Sequence, residues 1–202
     1  MTPNEITTIL AQSLDKPFEF PIKLMLLKKV DAWRARLIRN TLENHPQDRK
    51  FFRQTIYLAL TKKSEVPCDL GFTLCNVAQS ANIPKPLRAN GILFDYLGAI
   101  NGANPFKEVA PGMLAYTNSG KYSKNVISYS RVNETIVVYN KPDLPMIRID
   151  AVWDNPLALA DMICTDTGNC NFWDNEYPCS NEILQLILEY IPKGVEPNED
   201  KA

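Results

Sequence analysis

The sequence has only one histidine, His45, among its 202 residues, and it lacks the common cofactor motifs. His45 stands directly before Pro46 at the end of a predicted helix, where an ordinary surface turn residue is expected. Without a second histidine, neither a histidine-based metal site nor a Ser-His-Asp triad formed by this chain gains support. Neither a GxGxxG dinucleotide motif nor a Walker phosphate loop is present. These absences favour a protein that is not an enzyme, has no catalytic or metal-ligating residues and needs no cofactor.

Paired cysteines and long apolar runs are also missing. The five cysteines include no C-x-x-C pair: Cys68, Cys75, Cys164, Cys170 and Cys179. The N-terminus has no signal-peptide pattern, so reduced, half-buried thiols are expected rather than a disulfide framework or a metal site. No stretch approaches the roughly 20 apolar residues that a membrane span needs, and no membrane partner is expected.

Charged residues are abundant but unevenly divided along the chain, which the overall net charge of −1 conceals. Residues 22–63 carry eleven basic and three acidic side chains, a net charge of +8. Residues 143–202 carry three basic and twelve acidic side chains, a net charge of −9. Two such surfaces can pair within one molecule or between copies of the chain stacked head to tail, and the basic one can face a polyanion.

Local patterns predict an α+β fold, in which a helical bundle from the N- and C-terminal segments carries an inserted antiparallel β-sheet or small β-sandwich. Helical periodicity and cap residues occur near both ends, whereas alternating residues and turn dipeptides occupy the middle. Strands are expected at 55–61, 71–77, 126–131, 135–139 and 147–153. The chain is predicted to divide into a helical subdomain of residues 1–54 and 154–194, a β-rich insertion at 55–153, and a polar tail at 195–202.

The longest predicted helix covers residues 22–44 and has two apolar stripes. The main stripe consists of Ile22, Leu26, Val30, Trp33 and Leu37, and the narrower one of Leu24, Leu27 and Ile38. Four cations lie within an arc of about 100° outside both stripes. This basic face consists of Lys28, Lys29, Arg36 and Arg39. Three interpretations of it stay open, namely a solvated surface, a contact with nucleic acid, and a contact with an acidic protein surface.

A predicted loop near the C-terminus carries three large aromatic side chains, Phe172, Trp173 and Tyr177. Aromatic side chains in a loop either fold back on the core of their own chain or dock on a partner. Both alternatives stay open here, so the three residues are candidate partner-docking aromatics.

Two segments within residues 21–60 form a recognisable pattern, Trp33-Arg34-x-Arg36-Leu37-Ile38-Arg39-Asn40 and Arg49-Lys50-Phe51-Phe52-Arg53-Gln54. This pattern resembles the N-terminal region of a virion ring protein of crAss-like bacteriophages, from the tail or the head-to-tail connector. The resemblance implies a structural subunit of a homo-oligomeric ring of twelve copies, made in the host cytoplasm and carried in the virion. Such a ring would join the portal protein to the next tail component, line or support the channel for DNA ejection, and make non-specific contact with genomic DNA.

Two other function classes stay open on the sequence. One is a monomeric nucleic-acid-binding module that uses the basic helix 22–44. The isoelectric point of about 5.9 argues against it, because dedicated binders are usually basic overall. The other is an enzyme with unrecognised carboxylate or cysteine chemistry, which the lack of any catalytic motif disfavours.

Overall fold

The computed structural model describes residues 1–63, 77–110, 126–141, 143–163 and 172–194. The chain forms two compact units. The helical unit consists of Met1–Gln54, Lys85–Leu93 and Val152–Ala202, and the sheet unit consists of Thr55–Pro84 and Phe94–Ala151. The fold is α+β, as the sequence predicts.

The described part of the helical unit contains five α-helices and two short 3₁₀ turns. The helices are α1 (Pro3–Ser13), α2 (Phe20–Asn44), α3 (Arg49–Phe52), α4 (Pro156–Ile163) and α5 (Asn181–Tyr190). The 3₁₀ turns are Pro46–Asp48 and Phe172–Asp174. The 25-residue helix α2 is the longest of these elements and supports the residues discussed below.

Side-chain caps define where the helices start. The Thr2 hydroxyl accepts a hydrogen bond from the Glu5 N–H at 3.2 Å, and the Glu5 carboxylate accepts one from the Thr2 N–H at 2.8 Å. This is a capping box, which satisfies two otherwise unpaired donors at the start of α1. Helix α5 starts in a similar way, because the Ser180 hydroxyl accepts from the Ile183 N–H at 3.4 Å.

Helix α1 ends in a Schellman motif that turns the chain towards α2. The Lys16 N–H donates to the Ala11 carbonyl at 2.9 Å, and the Asp15 N–H donates to the Gln12 carbonyl at 3.2 Å. Asp15 has a φ of 50°, the left-handed conformation that this motif requires. The hydrogen bonds therefore fix the direction in which residues 16–19 leave the helix.

The main apolar stripe of α2 packs into the core of the helical unit, as the spacing predicts. Leu26, Val30 and Trp33 are buried, while Ile22 and Leu37 at its ends are half-buried against the same core. Burial of these side chains stabilises α2 more than its helix propensity does, because most helical stability in proteins comes from tertiary packing.

The sheet unit is built on a seven-stranded sheet with the order β3-β7-β1-β2-β6-β5-β4. The strands are β1 (Gln54–Lys63), β2 (Val77–Ser80), β3 (Tyr96–Gly98), β4 (Lys107–Glu108), β5 (Ser128–Val132), β6 (Thr135–Tyr139) and β7 (Met146–Ala151). Strand β2 pairs antiparallel with both β1 and β6, and β3 with β7. Strands β5 and β6 form the predicted hairpin, in which Val132 pairs with Thr135, whereas β4 and β5 are parallel. The strand predicted at 71–77 lies outside the described residues except for Val77.

Residues 85–93 belong to the helical unit, although the sequence places them within the β-rich insertion. Leu87 is buried in the helical core, and its N–H donates to the Val152 carbonyl at 2.7 Å. The Asn90 side-chain amide donates to the Leu42 carbonyl near the end of α2 at 2.7 Å. Asn90 and Gly91 both have positive φ, so they form a tight turn that brings this amide to the helix. These contacts are long-range in sequence, and local periodicity does not reveal them.

Candidate functional site

The basic face of α2 lies on the surface of the helical unit. Lys28, Lys29 and Arg39 are exposed, and Arg36 is half-buried. The Arg36 guanidinium carbon is 5.4 Å from the centroid of the Trp33 ring, so this cation also packs on the core aromatic. The structure thus brings together the four cations that the helical wheel groups, and it gives Arg36 a second role in covering Trp33.

The narrow stripe of α2 contains two buried charged residues that the sequence interpretation missed. Asp31 and Arg34 fill the gap between Leu27 and Ile38, so that Leu24, Leu27, Asp31, Arg34 and Ile38 follow a regular spacing of three, four, three and four. Asp31 is buried and Arg34 has no exposed surface. The net charge of +8 for residues 22–63 includes Arg34, but this charge is buried and does not belong to the basic surface. The regular spacing was the sequence signal that Asp31 and Arg34 lie on a core-facing stripe. Charged residues are tolerated there when ion pairs and hydrogen bonds satisfy them.

The Arg34 guanidinium joins three separate segments of the helical unit. Its Nε donates to the Pro178 carbonyl at 2.7 Å, and its Nη1 donates to the Trp153 carbonyl at 2.8 Å. Its Nη2 has no hydrogen-bond partner among the described residues. Since the planar guanidinium presents its donors in a fixed fork, one side chain holds both carbonyls against α2.

Tyr177 completes this buried cluster. Its hydroxyl donates to Asp31 Oδ1 at 2.5 Å, and its N–H donates to the Met1 carbonyl at 2.9 Å. Tyr177 is only 2% exposed, so of the two alternatives for the loop aromatics it follows the first and folds back on its own core. It is not available for docking. Phe172 and Trp173 are half-buried against the same core, and the Phe20 ring lies edge-on to Trp173 with centroids 5.6 Å apart.

Burial shifts the pKa values of the titratable groups in the cluster. It raises the pKa of Asp31 from 3.8 to about 6, although the hydrogen bond from Tyr177 and the charge of Arg34 oppose the shift. Burial and the Asp31 charge raise the pKa of the Tyr177 phenol well above its usual value. The half-buried Cys179 thiol has its pKa raised to about 11, mainly by burial and against the charge of Arg34. The thiolate, which is the nucleophilic form of cysteine, is therefore disfavoured at neutral pH.

The Asp31 shift predicts a specific dependence of stability on pH. Between about pH 4 and 6 the folded state binds more protons at Asp31 than the unfolded state, so the free energy of unfolding falls as pH rises. A shift of this size corresponds to about 3 kcal/mol. We expect the Asp31→Asn variant to lack this decline, so its stability relative to the wild type should increase from pH 4 to pH 7. Urea denaturation of both proteins across this range measures the difference, and a difference that does not change with pH would contradict the assignment.

A cleft of about 530 Å³ opens beside the last turns of α2 and the segment that follows it. Phe51, Phe52 and Ile183 contribute apolar walls. Its charged lining residues are Asp48, Arg53, Glu176 and Glu182, three carboxylates against one guanidinium. Thr41 and Cys179 also line it. This cleft therefore combines aromatic walls with a net negative charge.

Among the described residues there is neither a cluster of metal-ligating side chains nor a membrane-spanning helix. Within residues 1–63, 77–110, 126–141, 143–163 and 172–194, no three His, Cys, Asp or Glu side chains are grouped in a way that suits a metal ion. None of the helices in these ranges combines the length and apolar character needed to cross a membrane.

The fold and these surfaces define an α+β protein with a cationic helix on its surface and a buried polar cluster beneath it. Comparison with known families makes this more specific: the chain belongs to the family described as phage tail ring protein 2, which matches residues 10–194. No curated protein is similar to the chain at a significant level. The family confirms the predicted resemblance to crAss-like phage ring proteins and extends it from residues 21–60 to most of the chain. The protein is thus a structural component of a bacteriophage tail ring.

Proposed function

We propose that the chain forms a ring of twelve copies at the head-to-tail connection, where it joins the portal protein to the next tail component and lines or supports the DNA channel. The basic face of α2 is the observation that carries this proposal. That the chain is part of a ring follows from its membership of the tail ring family. Family membership specifies neither the portal contact, nor the copy number, nor the contact with DNA. Charge reversal on the basic face tests the contact with DNA.

The chemistry of the basic face suits a sliding contact with DNA. Lys28, Lys29, Arg36 and Arg39 lie on the surface of one long helix, where they meet a polyanion without rearrangement of the core. Contacts between cations and phosphates depend on charge and not on base sequence, which allows a duplex to move past them. A ring repeats the same four cations around its axis, and symmetry then gives a uniform positive surface.

We further propose that the protein acts without catalysis and without a cofactor. Asp31 and Tyr177, whose pKa values are both raised by burial, are hydrogen-bonded to each other in the core of the helical unit. Cys179 lines the cleft, but its raised pKa keeps it in the thiol form. These groups support a structural role, and synthesis in the host cytoplasm followed by incorporation into the virion fits it.

A double charge reversal, Lys28→Glu with Arg39→Glu, tests the DNA contact. Both side chains are exposed, so the free energy of unfolding should change by no more than about 0.5 kcal/mol per site. We expect particles that carry the variant to assemble their tails but to deliver DNA less efficiently. In solution, binding of the wild-type protein to duplex DNA should weaken as salt rises above about 0.15 M, where the screening length is about 8 Å.

The matched control is Lys107→Glu with Lys141→Glu, two exposed lysines of the sheet unit that change the net charge by the same amount. This control should leave DNA delivery unchanged. Normal delivery by the Lys28→Glu, Arg39→Glu variant would show that the basic face is a solvated surface. Tight binding of DNA by a purified protein that stays monomeric would instead favour a nucleic-acid-binding module.

A further inference from the structure

The basic face of α2 is divided into two pairs of cations with a small side chain between them. Lys28 and Lys29 form the first pair, and Arg36 and Arg39 form the second. Between the pairs, only Ala32 is exposed. The basic face therefore has two positive ends separated by a low, uncharged stretch of helix.

No exposed carboxylate of α2 lies between the two pairs. The helix contains two acidic residues, Asp31 and Glu43. Asp31 is buried and accepts a hydrogen bond from the Tyr177 hydroxyl, so it is not part of the surface. Glu43 is exposed, but it lies four residues beyond Arg39. The positive charge of the two pairs is therefore not cancelled by their own helix.

The side chains of the basic face suit phosphates rather than bases. Proteins bind single strands largely through aromatic side chains on which bases stack. The one aromatic residue between the pairs, Trp33, is buried and covered by the Arg36 guanidinium. Base edges are recognised by side chains that form hydrogen bonds, whereas Ala32 has only a methyl group. The basic face therefore favours the backbone of a duplex, whatever its base sequence.

The spacing of the two pairs matches the major groove of B-DNA. The inner cations, Lys29 and Arg36, are about 10.5 Å apart along the helix axis. The outer cations, Lys28 and Arg39, are about 16.5 Å apart. The major groove is about 12 Å wide and the minor groove about 6 Å. Phosphates that border the major groove thus fall within the two pairs, whereas those that border the minor groove would fall over the uncharged stretch.

We propose that α2 lies across the major groove of duplex DNA and that each pair of cations binds the phosphates of one strand. Ala32 then faces the open groove and lets the helix come close to the duplex. This arrangement rests on the DNA contact proposed above and adds to it how the helix lies on the duplex. Lys29 and Arg36 also have interactions within the chain, so the outer cations Lys28 and Arg39 are the ones to test.

Moving one cation without changing the net charge tests this arrangement. In the variant Ala32→Lys with Arg39→Gln, the second pair loses a member, and the cation is moved to a position over the groove. Both positions are exposed, so the purified variant should keep the far-ultraviolet circular dichroism of the wild type. Fluorescence anisotropy measures binding of the purified protein to a duplex of about 20 base pairs and to one of its strands, from about 0.05 to 0.2 M salt.

We expect the wild type to bind the duplex more tightly than the single strand. The variant should bind the duplex about eightfold more weakly at about 0.1 M salt, the contribution of one phosphate contact. Its plot of log affinity against log salt concentration should be flatter by about 0.9. The matched control, Lys141→Gln with Ala103→Lys, moves one charge between exposed positions of the sheet unit and should bind like the wild type.

The possible results separate the groove arrangement from the DNA contact itself. Equal duplex binding by the Ala32→Lys, Arg39→Gln variant and the wild type would overturn the groove arrangement and leave the DNA contact intact. The same conclusion would follow if the wild type bound the single strand as tightly as the duplex. If the wild type bound neither form of DNA, the DNA contact of the proposed function would be overturned as well.

Discussion

Replacing Arg34 with alanine is expected to lower the free energy of unfolding by about 3–5 kcal/mol, the cost of breaking a buried and hydrogen-bonded charged group. The carbonyls of Pro178 and Trp153 lose their donors, and Asp31 loses the positive charge that offsets its burial. Each unsatisfied buried polar group costs about 1–3 kcal/mol, and the vacated volume adds to this. The cost is large because one side chain ties α2 to two distant segments.

Urea denaturation of the Arg34→Ala protein measures the effect, with Arg39→Ala as the matched control. Arg39 is in the same helix but is exposed, so its removal should cost no more than about 0.5 kcal/mol. Arg34→Lys should restore little stability, because an ammonium does not reproduce the planar fork that reaches both carbonyls. Equal and small effects of Arg34→Ala and Arg39→Ala would show that Arg34 is not the anchor described here.

The variant Trp33→Ala should have a loss of similar size, about 3–5 kcal/mol, because it empties a large site in the helical core. The Trp33 ring is buried, lies 5.1 Å from the Tyr190 ring between centroids, and is covered by the Arg36 guanidinium. The variant therefore loses contacts with α5 as well as within α2. The Trp33→Phe variant should retain part of this packing and therefore lose less stability than Trp33→Ala.

The denaturation midpoints of Trp33→Ala and Trp33→Phe measure this difference, and Trp173→Ala serves as a comparison at a half-buried position. We expect the order of stability to be wild type, then Trp173→Ala, then Trp33→Ala. An unchanged midpoint for Trp33→Ala would mean that the main stripe of α2 faces solvent or an interface that is not yet formed.

Local patterns predicted much of the helical unit because its elements depend on neighbouring residues. The cap residues expected near both ends are found at Thr2 and Ser180, and the apolar stripe through Trp33 is confirmed. Each of these depends on residues within a few positions of one another, and such signals are present in the sequence itself. The α+β class followed from the same signals.

Local sequence patterns could not predict the buried polar cluster, because its contacts join residues that are distant in sequence. Tyr177 is 146 residues from Asp31, and Trp153 is 119 residues from Arg34. Charged residues in a helix are usually exposed, so the helical wheel assigned Arg34 to neither apolar stripe. Only its position in the stripe between Leu27 and Ile38 distinguishes it from Arg39. The assignment of residues 85–93 failed for the same reason, since Leu87 and Asn90 bind parts of the helical unit far along the chain.

The two candidate surfaces, the basic face and the cleft, also differ in whether the sequence predicts them. The basic face of α2 follows from helical geometry alone, and its four cations are together on the surface of the helical unit. The cleft lined by Asp48, Phe51 and Glu182 requires the return of the chain near its C-terminus, which no local pattern predicts.

A three-dimensional reconstruction of the intact phage tail, at a resolution that traces α2, tests the proposed function most directly. We expect twelve copies of the chain in one ring next to the portal, with Lys28 and Arg39 directed towards the DNA channel. A ring in which the basic face of α2 points away from the DNA channel would contradict the proposed role of this face, and a position remote from the portal would contradict the proposed connection.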